Sequence, residues 1–165
     1  MSGWYALSLL LHLVALALWL GGIGFFLGVF APAVRQMEAG PAVRILDRGR
    51  RSFEAISWFA IVLLLLTGVF NLVLRSQAST MPLAQSYLLA LSIKLFLFLA
   101  MLVHHCLQVF KYGPQLSALT AQAPASADSW PAPLRSQWQK WFTLLKINAT
   151  LGPIVMLMGL MLTRW

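Results

Sequence analysis

His12 interrupts the apolar run LSLLLHLVALALWLGG, and Lys94 interrupts a second one, LLALSIKLFLFLAMLV. An ionisable group surrounded by hydrocarbon costs several kcal/mol unless it is paired, so each marks a candidate functional site with a partner. Met101, His104, His105 and Cys106 follow Lys94 in the same run. Imidazole, thioether and thiol are suitable copper ligands, and an imidazole also serves as an axial ligand of haem iron. A protonated Lys94 repels a cation; it fits an anionic group such as a haem propionate or a quinone oxygen. The structural alternatives are that Lys94 snorkels to the membrane surface and that Met101 fills a gap in the core.

The segments carrying these residues are membrane spans. Hydrophobic residues make up 60% of the chain and charged residues 10%. Four stretches, roughly 4–30, 53–74, 87–110 and 142–165, each reach the ~20 residues needed to cross a bilayer. They are apolar nearly all round, where a soluble helix would show a polar face. The expected fold is all-α, a four-helix transmembrane bundle forming a single integral membrane domain over residues 1–165. The N-terminus lacks a basic leader and stays apolar beyond a signal-peptide core, so the first run is expected to persist as a helix.

Basic residues set the expected orientation. Arg35, Arg44, Arg48, Arg50 and Arg51 lie between runs one and two, and Lys111, Arg135 and Lys140 lie between runs three and four. The other side holds only Arg75 and Arg164. The positive-inside rule then makes both basic links cytoplasmic and puts both termini outside. The net charge of +8 and the pI near 10.6 point to anionic headgroups of the lipid bilayer rather than to nucleic acid. A single cysteine excludes an internal disulfide, and no CxxC or CxxCH pattern for zinc or covalent haem is present. Residues 111–141 include TAQAPASADSWPAP and are expected to form a cytoplasmic surface loop. RSQWQKWF is expected to lie along the headgroups with Trp138 and Trp141 at the interface. SQASTMP is a short external link.

Helical geometry places polar residues on shared faces. Lys94, Met101, His105 and Gln108 form one stripe, with His104 turned aside. His12, Ala15, Trp19 and Gly22 form another, and Arg50, Ser57, Gly68, Asn71 and Arg75 a third. Such stripes of polar and small residues face the bundle interior. Gly24 and Gly28 make a GxxxG step expected to allow close helix packing. By depth, His12, Lys94, Thr67 and Asn71 share an outer layer. His105 lies eleven residues beyond Lys94, about 16 Å deeper, in an inner layer with His104, Cys106, Gln108 and Asn148. That separation argues against His12 and His105 ligating one haem iron.

The segments LHLVALALWLGG with APAV, RGRRSFEAISWFAIVLLLLTGVFNL and SIKLFLFLAMLVHH resemble the copper resistance protein D (CopD) domain family. Trp19, Gly21, Gly22, Arg51, Phe53, Thr67, Gly68 and Lys94 carry the likeness, which covers most of the chain. It implies copper handling in a bacterial inner membrane. A more distant resemblance is to the HemJ-type protoporphyrinogen oxidases, four-helix membrane proteins that bind haem b through a histidine, an arginine and a lysine. His12, Arg51 and Lys94 would take those roles. This chain reads INATLGP where that family has N-E-x-P, so Asn148 is present and the acid is not.

Three functions follow as expectations. In the first, His12 captures copper from the outer side, delivered by a periplasmic metal donor, and Met101 and His105 relay it inward. In the second, His12 ligates haem b while Lys94 or Arg51 holds anionic groups. In the third, the chain is an accessory subunit of a larger membrane complex. No catalytic residue is assigned.

Overall fold

The computed structural model describes residues 3–78, 85–124 and 129–162. Arg164 and part of the SQASTMP link lie outside the described residues. All the elements are helical: α1 (Gly3–Phe25), a π segment (Phe26–Phe30), α2 (Ala31–Val34), α3 (Ala39–Ala78), α4 (Gln85–Cys106), a second π segment (Leu107–Tyr112), α5 (Gly113–Gln122) and α6 (Ala132–Leu162). Four continuous helical rods, Gly3–Val34, Ala39–Gln77, Gln85–Gln122 and Ala132–Leu162, are long and apolar enough to cross a membrane. The chain is an all-α, four-helix, multi-pass membrane protein.

The two π segments have a common cause. Each ends two residues before a proline, Pro32 and Pro114. Proline removes a backbone N–H and crowds the carbonyl four residues back. The chain responds by closing five-residue bonds instead, from Ala31 N–H to the Phe26 carbonyl and from Gly113 N–H to the Gln108 carbonyl. The rods therefore continue through both prolines.

α1 packs along α3 and α4 along α6, and α1 also meets α6. α5, which continues the rod of α4, meets α3 and α6 at the basic end. An aromatic cluster fills that end: Phe26 stands 5.4 Å from Phe53 and 5.2 Å from Trp141, centroid to centroid, and Trp138 stands 5.7 Å from Trp141. Toward the opposite end the exposed residues are large and apolar, including Phe59, Leu66, Leu89 and Phe96. Lipid, not water, is the solvent that such a surface fits.

Three expectations are corrected. Residues 111–141 are largely helical, since α5 and the first ten residues of α6 fall within them. Trp138 and Trp141 turn into the bundle, at 2% and 0% exposure, rather than facing the headgroups. The stripe Leu134, Trp138, Trp141, Leu145, Asn148, Gly152 and Val155 recurs every three or four residues and faces inward along α6. Gly24 and Gly28 do not mediate packing among the described residues, because a Cβ at either would meet nothing within 4 Å. Gly22 is the close-approach glycine of α1, with the Phe53 ring 3.4 Å from where a Cβ would sit.

Candidate functional site

α1 and α3 build the outer layer. Thr67 Oγ1 lies 2.6 Å from the Leu63 carbonyl, within its own helix, and 2.7 Å from His12 Nδ1. The hydroxyl has one proton, and giving it to the carbonyl leaves its lone pair to accept from the ring. His12 therefore carries its proton on Nδ1, and Nε2 is left with a free lone pair. Gly68, the next residue, packs beside the ring, where a Cβ would stand in ordinary van der Waals contact, 3.6 Å from His12 Cε1. Lys94 reaches the same region from α4. Its charge acts on the His12 ring, and its Nζ lies against Gly159 of α6, 3.2 Å from where a Cβ would be.

The inner layer centres on His105, 1% exposed. Its ring is walled by Trp58 at 5.2 Å, Trp19 at 6.4 Å and Phe53 at 6.5 Å, all edge-on. Met101, one turn earlier on the same face, is equally buried. Gln108, one turn later, donates its amide to the Trp141 carbonyl at 3.1 Å. Among the described residues His105 Nε2 has no hydrogen-bond partner, and neither do Trp19 Nε1 nor Ser57 Oγ, also buried, on the two helices that wall it. Gln108 interacts with the His105 ring, yet its Oε1 is likewise without a bond of proper geometry. Buried polar atoms are almost always paired, so the unpaired ones around His105 make this layer a candidate site.

His104 has a different role. Its Nδ1 bonds Asn148 Oδ1 at 3.0 Å, and Asn148 Nδ2 donates to the Met101 carbonyl at 3.1 Å. It ties α4 to α6 and fixes the backbone beneath Met101. Cys106 is free and half-buried.

The separation of the layers is read on α1. Trp19 touches His105 and lies seven residues beyond His12, so the two imidazoles are about 10 Å apart along the bundle. They cannot share one metal ion. Arg51 joins neither layer. It lies sixteen residues from Thr67, about 24 Å along α3, with its side chain 63% exposed and 3.2 Å from Asp47.

Arg50, its neighbour, is the buried guanidinium. It bonds Asp47 Oδ1 through Nε and Nη2 at 3.0 and 2.8 Å, Glu54 Oε2 at 2.7 Å and Ser117 Oγ at 2.8 Å. Trp141 Nε1 donates to the other Glu54 oxygen at 3.2 Å. This network joins α3, α5 and α6 directly below the His105 box. The sequence signal for it was the Asp47, Arg50, Glu54 spacing of three and four residues, which puts opposite charges on one helical face.

Comparison with curated proteins and with solved structures gives no match. The family model for copper resistance protein D matches residues 47–162, a region that holds Lys94, Met101, His105, the Arg50 network and the helices α3 to α6 around them. With 116 of 165 residues inside that match, four membrane-crossing rods and a buried imidazole and thioether on one helix face, the chain belongs to the CopD (copper resistance protein D) family of copper-resistance membrane proteins.

Proposed function

We propose that the chain handles copper directly, carrying the cuprous ion along the seam between α1 and α4. The observation that carries this reading is His105 Nε2, a fully buried imidazole nitrogen without a partner, one turn from the buried thioether of Met101. Imidazole and thioether are a donor pair suited to Cu(I). The aromatic walls keep the His105 ring out of contact with solvent. On the positive-inside assignment His12 is the outer station, with its Nε2 freed by the Thr67 hydrogen bond, and the His105 box is the inner one. A step of about 10 Å separates them.

The test is Cu(I) affinity of the detergent-purified chain, measured by competition with a chromophoric chelator. His105→Leu and Met101→Leu should each weaken binding by about tenfold or more, the range expected when a ligand is lost. Wild-type protein that fails to compete, or a His105→Leu variant that binds as wild type does, would overturn the reading.

The Lys94 ammonium beside His12 favours a second reading at the outer layer. There His12 would ligate haem b, and Lys94 would hold a propionate. Arg51 is too distant to take part. A visible spectrum of the same sample separates the two, since haem gives a Soret band that His12→Ala abolishes and Cu(I) gives none.

A further inference from the structure

A cleft of about 590 Å³ opens at the basic end, between the start of α3 and the start of α6. Arg35 and Arg135 line it with Trp130, Trp138 and Glu38. Arg35 is held in place over the Phe142 ring, its guanidinium carbon 5.1 Å from the centroid. Trp138 packs 6.4 Å from Trp130 and 5.6 Å from Phe142, which makes an aromatic floor. Trp138 is 2% exposed, and its Nε1 is a buried donor with no acceptor.

The groups facing the cleft are biased toward one kind of ligand. Two guanidiniums are donors that cannot accept, and Glu38 is the single opposing charge among the lining residues. Among the described residues neither arginine forms an ion pair with it. The N-termini of two long helices, α3 at Ala39 and α6 at Ala132, converge on the same cleft, with their dipoles adding positive potential. Ala39, Ala42 and Arg135 from those first turns are among its lining residues.

Depth supplies the context. The stretch of α6 from Phe142 to Leu162 is about 30 Å long and fills the hydrocarbon by itself. Arg135 and Trp138 therefore stand just beyond it, at headgroup level. We propose that this cleft is a binding site for an anionic phosphate group, distinct from the two histidine layers. Arg35 and Arg135 grip the phosphate oxygens above the aromatic floor that Trp138 provides. A phospholipid headgroup and a free phosphate both carry this chemistry.

The test is isothermal titration of the full chain in a neutral detergent, with dihexanoyl-phosphatidylglycerol as one probe and inorganic phosphate as the other. Saturable binding of the lipid is expected. It should weaken by about tenfold in the double variant Arg35→Gln, Arg135→Gln, which removes two charge-assisted contacts on exposed side chains. Arg51→Gln, an exposed arginine elsewhere at the basic end, should bind as wild type does. Inorganic phosphate that fails to compete identifies a lipid headgroup as the source, and phosphate that competes at comparable concentration identifies a free anion. No saturable binding of either probe overturns the proposal. So does an Arg51→Gln loss equal to that of the double variant.

Discussion

His12 and Thr67 are joined by a hydrogen bond whose direction is fixed by a third group. Thr67 Oγ1 is spent on the Leu63 carbonyl at 2.6 Å, so at 2.7 Å it can only accept from His12 Nδ1. This is the arrangement by which proteins orient a ligating imidazole, with one nitrogen anchored and the other presented. Removing the hydroxyl while keeping the shape, as in Thr67→Val, should lower Cu(I) affinity at the outer station by about 10- to 100-fold. Thr67→Ser should retain it. Chelator competition on the two variants measures the difference.

Lys94 gives a prediction that separates cation from anion. Its charge acts on the His12 ring, so Lys94→Gln should tighten binding of Ag(I), a closed-shell stand-in for Cu(I), by severalfold. An anionic group held at the same place would instead be lost. Titration of Ag(I) into both proteins, with the visible spectrum recorded alongside, distinguishes these outcomes.

The two adjacent arginines should differ sharply in stability. Arg50→Leu leaves Glu54 buried without its cation and Asp47 with only the exposed Arg51, a change expected to cost about 3–5 kcal/mol. Arg51→Leu removes an exposed partner of Asp47 and should cost less than about 1 kcal/mol. Thermal unfolding in detergent should show a large shift for the first variant and a small one for the second.

Glycines at two positions should respond with opposite sign. A Cβ at Gly113 would stand 2.8 Å from Nη1 of the Arg50 guanidinium, a group that four hydrogen bonds hold in place, and Gly113→Ala should destabilise by roughly 1–3 kcal/mol. At Gly24 a Cβ meets nothing, so Gly24→Ala should be neutral or stabilise by up to about 1 kcal/mol through helix propensity. The same melting experiment reads both.

Much of the bundle was determined by the sequence alone. Hydropathy defines four spans because a bilayer demands about 20 apolar residues per crossing, and helical periodicity put Met101, His105 and Gln108 on one face. All three are buried at 1% exposure. The stripe His12, Ala15, Trp19 and Gly22 likewise turns inward. Hydropathy misjudged the helix ends at the basic side. Asp47, Arg50 and Glu54 count as polar one by one, yet together they neutralise each other inside the fold, so α3 begins at Ala39 rather than near residue 53. Only the tertiary structure decided which arginine is buried, since Arg50 and Arg51 differ by a single 100° step and that step is resolved by where α5 and α6 dock. It also decided the tautomer of His12 and the aromatic box around His105. Each depends on side chains from different helices meeting at one depth, a relation that no spacing within one segment contains.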